Sequence, residues 1–152
     1  MKILRTDARH PDFVRLVRLL DAYLVVVDGD DNAFYAQYNG IDDIKYAVVV
    51  YENEEPVGCG AIKNFSPEAM EIKRMYTAPA HRGKGIATRI LTELEAWASE
   101  LSCKKCILET GKRQHEAVQL YKKNGYQIIP NYGQYTVMEN SVCFEKYLGK
   151  SQ

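Results

Sequence analysis

The sequence predicts an α/β fold around a mixed sheet, and three observations carry that reading. Helical and strand-like periodicities alternate along the chain, the most apolar runs are short and β-branched, and some neighbouring strands are separated only by turns. Turn-linked neighbours must pair antiparallel, so the sheet is mixed rather than wholly parallel. With 152 residues, 46% of them hydrophobic, the chain fits one domain over 1–152. A domain of that size buries about 68–70% of the surface its unfolded chain exposes.

Residues 3–7 form a weakly marked first strand. Phe13, Leu16, Val17, Leu20, Leu24 and Val27 recur at i, i+3, i+4 spacing, so 11–27 is an amphipathic helix with Pro11 near its start, where a missing N–H is harmless. Asp28-Gly29-Asp30-Asp31-Asn32 breaks that helix, and 34–38 makes a short second one. Residues 46–51 are a continuous apolar, β-branched run, too short for a helix and suited to a central strand. The polar turn at 52–56 returns the chain into 57–62 as a hairpin. Over 69–77, Met70, Ile72 and Tyr76 alternate with Glu71, Lys73 and Met75, which places the latter three on one face of a strand. Arg74 interrupts the apolar face, marking either a bulge or a strand end open to water.

Farther along, Ile86, Ile90, Leu91, Leu94, Trp97, Ala98 and Leu101 form the clearest helical stripe in the chain. Residues 105–110 make another strand. Ala117, Leu120, Tyr121 and Asn124 share a helical face, and Gly125 sits where a left-handed C-terminal cap belongs. Residues 126–129 and 142–147 complete the sheet. No internal repeat or linker divides the chain.

Composition narrows the function. The 20 basic and 20 acidic side chains leave no formal net charge, which argues against a nucleic-acid or membrane-surface binder. No apolar run approaches the roughly 18 residues of a membrane span, and the start Met1-Lys2-Ile3-Leu4-Arg5-Thr6-Asp7 is unlike a signal peptide. A soluble, cytoplasmic protein is expected. The pair Cys103-x-x-Cys106 lacks the second ligand pair that zinc needs, and it leads into a strand rather than a helix. With Cys59 and Cys143 it reads as small buried thiols, and no metal site is expected.

Arg82-Gly83-Lys84-Gly85-Ile86-Ala87 follows a strand and opens the most regular helix. The first turn of a helix presents unpaired N–H groups and a positive dipole end. Two glycines let that backbone approach a phosphate closely, and Arg82 and Lys84 add charge. The Walker pattern G-x-x-x-x-G-K-[ST] is absent. The dinucleotide fingerprint also fails, because Thr88 stands where its third glycine should be, although Glu109 could imitate its ribose-binding acid.

The stretch from Glu71 through Arg74, Pro79 and His81 to Ala87 resembles the core of the GNAT N-acetyltransferase superfamily. Its R/Q-x-x-G-x-G/A loop matches Arg82, Gly85 and Ala87, and its A-x-x-L-Y-x-x-x-G-Y/F element matches Ala117, Leu120, Tyr121, Gly125 and Tyr126. The likeness is strongest over 69–129. It implies a GNAT-like mixed, mostly antiparallel twisted sheet with helices on both faces and a splayed central parallel strand pair. It also implies acetyl-CoA as co-substrate, its pyrophosphate held by Arg82, Gly83, Lys84, Gly85, Ile86 and Ala87. Its pantetheine would then pair with backbone at Met75, Tyr76 and Thr77, as an added strand does. Gln114 replaces the asparagine that many relatives use to position CoA; the longer amide makes the same bond or none.

Acetyl transfer to an amine needs a neutral nitrogen, a stabilised oxyanion and a protonated leaving thiolate. The resemblance makes Glu71 the candidate base, acting through water; the alternative is a solvated glutamate paired with Lys73. A strand amide near Met75 is the oxyanion donor. Tyr121 is the candidate acid, or else simply part of the apolar core. His81 flanks the phosphate loop, His115 lies exposed near a helix start, and neither is the preferred base. No cysteine within the two motifs suggests a covalent route.

The segments that build the acceptor site in such proteins correspond here to Asp28-Gly29-Asp30-Asp31-Asn32 with Phe34, Tyr35 and Tyr38, and to Tyr132-Gly133-Gln134-Tyr135. Acidic groups would favour a cationic amine and tyrosines could wall a small pocket; alternatively these are a surface turn and core tyrosines. The expected partner is a small primary amine. The rival reading is a non-catalytic acyl-CoA-binding regulatory module. A homodimer through sheet edges or the strand at 142–145 is allowed but not demanded.

Overall fold

Valines and small residues at 46–62 let two strands be covered on both faces, and the sheet grows outward from them. The computed structural model describes residues 1–41 and 43–149. Its elements in chain order are β1 (Lys2–Thr6), α1 (Pro11–Asp28), α2 (Asn32–Ala36), β2 (Tyr46–Glu52), β3 (Glu55–Ser66), β4 (Ala69–Thr77), α3 (Ile86–Glu100), β5 (Lys105–Gly111), α4 (His115–Lys123), β6 (Gln127–Ile129) and β7 (Ser141–Tyr147). The second helix thus begins two residues before the predicted start and ends two earlier than expected. The seven strands form one sheet in the order β1-β2-β3-β4-β5-β7-β6. Only β4 and β5 run parallel; every other pair is antiparallel.

One face of the sheet packs on α1 through Phe13, Leu16, Val17 and Leu20, which meet Ala47, Val49, Cys59 and Ala61. The other face packs on α3 through Ile86, Ile90, Leu91 and Leu94, which meet Val48, Val50, Ile62 and Ile72. Burying each such Val, Leu or Ile contributes about 1.5–3 kcal/mol before entropy is counted. Gly60 sets the α3 distance, since a Cβ there would lie 2.6 Å from Met75 Sδ and 2.7 Å from Ile90 Cγ2. Leu101, read from the sequence as the end of the stripe, is 38% exposed because the helix stops at Glu100. The β2–β3 hairpin turns on Asn53 and Glu54, both with positive φ, as a two-residue hairpin requires.

Two irregularities position the site. Arg74 has φ 58°, and the β3–β4 register shifts between Cys59 and Ala61. This is the bulge alternative; a strand end open to water does not occur, because Arg74 is 6% exposed. Its guanidinium pairs with the Asp21 carboxylate of α1, and the Cys59 thiol donates to its carbonyl at 3.4 Å. The extra residue also breaks the alternation, so Met75 packs on the α3 side while Tyr76 packs on the α1 side. The expectation that Glu71, Lys73 and Met75 share a face is therefore corrected. The second irregularity is a split: β4 and β5 pair only from Ala69↔Lys105 to Glu71↔Ile107. Beyond those residues the two parallel strands diverge.

β7 lies between β5 and β6, so both its edges are used, and the expected strand contact through 142–145 is not open. The sheet edges are β1 and β6. No helix among the described residues is long and apolar enough to cross a membrane.

Candidate active site

The divergence of β4 from β5 opens two cavities that meet in the gap. The larger, about 370 Å³, runs from the start of α3 to α4. The smaller, about 90 Å³, lies between the split and the α1–α2 segment. Met75, Gln114, Tyr121 and Leu20 line both, so the two cavities are neighbours across those side chains.

The larger cavity is a backbone site. Gly83 and Gly85 have φ of 79° and 81°, conformations that cost an L-residue about 1–2 kcal/mol. Gly85 is the N-cap of α3, no side chain caps that end, and no acidic residue lies in its first turn. The first-turn N–H groups are therefore available to an anion. Met75, Tyr76 and Thr77 form one wall, and Arg82, Gly83, Gly85, Ile86 and Ala87 form the mouth. The Ile86 side chain is buried in the core, so only its backbone can serve. Lys84 is exposed and outside the lining; the structure does not bring it to the cavity. Arg82 Nε donates to the Thr77 carbonyl at 3.0 Å, and its guanidinium carbon lies 5.9 Å from the ring centroids of both Tyr23 and Tyr76. That clamp orients the loop from the side. An uncapped helix start, left-handed glycines and basic groups fit a diphosphate, and the elongated wall fits the chain attached to it.

Gln114 is the N-cap of α4 without a side-chain capping bond; its amide faces the junction. Tyr121 is buried between Tyr126 and Phe144, with ring centroids 5.8 and 5.9 Å away. Burial raises its hydroxyl above the ordinary tyrosine value, and Glu109 adds to the effect. The ring of Tyr121 is therefore core, and the same side chain also borders the two cavities. His81 borders the larger cavity with Nδ1 3.2 Å from a Glu52 carboxylate oxygen, while His115 is exposed.

The smaller cavity is a side-chain site. Glu71 is 8% exposed and accepts a 2.6 Å hydrogen bond from the Tyr132 hydroxyl. This corrects the alternative of a solvated Glu71–Lys73 pair, for Lys73 Nζ instead lies 3.4 Å from the Tyr38 carbonyl. Burial and the neighbouring Glu71 push the Tyr132 hydroxyl well above its ordinary value. The tyrosines expected at the acceptor site do converge: Tyr35 and Tyr135 stack with centroids 6.3 Å apart, and Tyr132 meets Tyr135 edge-on at 5.7 Å. They form a small core of their own with Cys143, and Tyr35 and Tyr135 present a wall to the cavity. Asp28 is buried and lines it too, whereas Asp31 is turned to Asn140 at 2.6 Å.

Sequence reasoning missed Ser141, weighed Glu109 only as a ribose-binding acid, and named Tyr132 as an acceptor wall without its bond to Glu71. Glu109 borders the small cavity, not the phosphate cleft, which disposes of any ribose-binding role. The cysteines are free; burial pushes Cys59 and Cys106 up to about 12 and Cys143 up to about 11, which makes those three poor nucleophiles at neutral pH. Among the described residues no group of three or more His, Cys, Asp or Glu is placed to hold a metal ion.

Likenesses to known proteins agree with this geometry. Residues 13–126 match the model of the acetyltransferase (GNAT) family. An IAA acetyltransferase of Azospirillum brasilense is 31% identical over 89% of this chain and 90% of its own length. The first curated N-acetyltransferases matched, 33% and 38% identical, align with only 66% and 52% of their own lengths. A solved structure from Klebsiella pneumoniae subsp. pneumoniae, assigned to the acyl-CoA N-acyltransferases, is 31% identical, with TM-score 0.82 and 97% of each chain covered. A GNAT family acetyltransferase from Elizabethkingia anophelis with acetyl-CoA bound shares the fold at 20% identity, TM-score 0.68 and 97% coverage of each chain.

Proposed function

The chain belongs to the acetyltransferase (GNAT) family, and from that premise we propose that it transfers the acetyl group of acetyl-CoA directly to the primary amine of a small molecule. The observation that carries this reading is the meeting of a backbone-lined anion cleft with a carboxylate-lined cavity at Tyr121. A donor gripped at the start of α3 has room to reach the split between β4 and β5. An acceptor entering from the α1–α2 side meets it there.

Arg82, Gly83, Gly85, Ile86 and Ala87 hold the diphosphate, chiefly through backbone N–H groups. Met75, Tyr76 and Thr77 offer strand backbone that β5 no longer pairs, and an amide-bearing pantetheine fits such an edge. Gln114 steadies the donor at the junction. Glu71, acting through water, takes a proton from the attacking nitrogen. The strand N–H near Met75 stabilises the oxyanion. When the carbon–sulfur bond breaks, Tyr121 donates to the departing sulfur. Its raised affinity for the proton keeps it protonated at neutral pH, so it is always ready as a donor. The acidic lining favours an acceptor that arrives as an ammonium ion.

The small cavity volume supports an aliphatic amine more than a folded protein's N-terminus. Thiol release with acetyl-CoA and a panel of primary amines, with products identified by mass spectrometry, tests the proposal. Turnover on small amines is expected, and Tyr121→Phe should lower kcat by about tenfold or more. CoA binding without turnover on any amine would leave the non-catalytic module in its place.

A further inference from the structure

The proposed reaction, if the acceptor arrives as an ammonium, removes two protons from one nitrogen, and Glu71 alone can take only one. A primary alkylamine with a lysine-like pKa of about 10.4 is neutral in only about one molecule in 2,500 at pH 7. One proton must leave before the lone pair can attack and another as the amide forms. Besides Glu71 the small cavity holds two carboxylates, Asp28 and Glu109, and of these Glu109 is held by a chain of hydroxyls.

Glu109 sits at the diverging end of β5, on the cavity wall. Its Oε2 accepts a 2.7 Å hydrogen bond from Ser141 Oγ on β7, and Ser141 Oγ lies 2.7 Å from the Tyr35 hydroxyl of α2. A serine hydroxyl has one proton, so while Glu109 is ionised Tyr35 must donate to Ser141. The chain Tyr35–Ser141–Glu109 therefore fixes one carboxylate oxygen and leaves Oε1 as the oxygen that can take a proton. The groups facing Glu109 come from every neighbouring element. Glu71 and Lys73 lie on β4, Asp28 on α1 and Tyr121 on α4, while Tyr135 lines the same cavity and Cys143 is the cross-strand neighbour on β7. These surroundings compete: burial, Asp28 and Glu71 disfavour the charge, whereas Ser141 and Lys73 favour it.

We propose that Glu109 is a second catalytic base, which takes the first proton of an ammonium acceptor while Glu71 takes the second. The inference rests on the acetyltransferase reading and divides the work that reading gave to Glu71. The steps balance. The ammonium N–H bond breaks and its proton goes to Glu109 Oε1; the freed amine attacks the thioester carbon. The remaining surplus proton passes from nitrogen to Glu71 as the carbon–sulfur bond breaks, and Tyr121 protonates the sulfur. Glu71 restores the proton of Tyr121, and Glu109 returns its own to solvent. The net reaction is ammonium plus acetyl-CoA giving amide, CoA thiol and one released proton. Burial also pushes the Glu109 carboxyl up to about 7, close to where a base for this step works well.

The test compares matched acceptors of different basicity, such as ethylamine with trifluoroethylamine and longer homologues of each, on the intact protein with acetyl-CoA. For the alkylamines, wild-type kcat/KM should rise with pH through a limb near 7. Glu109→Gln should remove that limb and lower kcat/KM at pH 7 by about 100-fold, against less than about fivefold for the fluorinated amines, which are already neutral. Ser141→Ala, which strips a bond favouring the ionised carboxylate, should move the limb to higher pH without abolishing it. Equal losses on both amine series, or a limb that neither variant moves, would overturn the inference while leaving the acetyltransferase reading intact. Absence of wild-type turnover on every amine would overturn that reading, and the inference with it.

Discussion

The proposed donor cleft and the proposed acceptor cavity share Tyr121, yet they are made of different material. The cleft is backbone: an uncapped helix start, two left-handed glycines and a strand edge released by the β4–β5 split. The cavity is side chain: carboxylates and tyrosines drawn from α1, α2, β4, β5 and the segment before β7, with Ser141 of β7 behind Glu109. Backbone amides bind any diphosphate alike, so the cleft suits a donor that never changes. Side chains can be exchanged without disturbing the sheet, so the cavity is where acceptor choice is written. The Arg74 bulge joins the two, sending Met75 toward α3 and the cleft while Glu71 and Lys73 remain on the acceptor wall.

That division can be broken experimentally. Glu71→Gln should have the largest effect, lowering kcat/KM by about 100- to 10,000-fold with CoA affinity nearly unchanged by calorimetry; a parallel loss of CoA binding would show that the two sides are one unit. Next comes the bulge that separates them. Arg74 is almost wholly buried and its partner Asp21 half-exposed, so Asp21→Ala leaves an unpaired buried charge and should cost about 3 kcal/mol in urea unfolding. A loss below about 1 kcal/mol would mean the bulge holds without its ion pair.

A third prediction uses the charge crowded on the acceptor side. The folded-state Glu109 carboxyl, pushed up to about 7, lies above its unfolded value. The folded protein therefore holds this proton more tightly, a contribution complete in acid below about pH 4 and lost as pH rises through 7. Glu109→Gln removes that loss, so relative to wild type it should gain about 3–4 kcal/mol on going from pH 4 to pH 8. A constant difference across that range would show that the wall tolerates the ionised carboxylate. The smallest effect belongs to the cleft. A Cβ at Gly85 meets nothing within 4 Å, so Gly85→Ala incurs only the left-handed penalty and should weaken CoA binding by about five- to tenfold.

The same contrast explains what could be read from the chain. The phosphate loop was legible because its parts are consecutive: Arg82 to Ala87 need only a strand before them and a helix after. Glu71 was reachable because alternation sets it off the apolar face and the family resemblance marks that strand position as the base. Tyr132 was named only as an acceptor wall; its hydrogen bond to Glu71 had no local signal, since it spans 61 residues, and Ser141 reaches Glu109 across 32 and Tyr35 across 106. Lys84 looked equivalent to Arg82 from spacing, but only Arg82 is held toward the cleft, by the Thr77 carbonyl.

Periodicity, turn residues and glycine placement act over a few positions, and they were enough to place the strands and helices to within a few residues and to mark the glycine-rich start of α3. Which face Met75 takes, which hydroxyl holds Glu71, and how closely Glu109 stands to it were decided only when the sheet assembled. Those outcomes depend on the Arg74 bulge, the β4–β5 split and the packing of distant segments, because electrostatic and hydrogen-bonding partners are chosen by proximity in space.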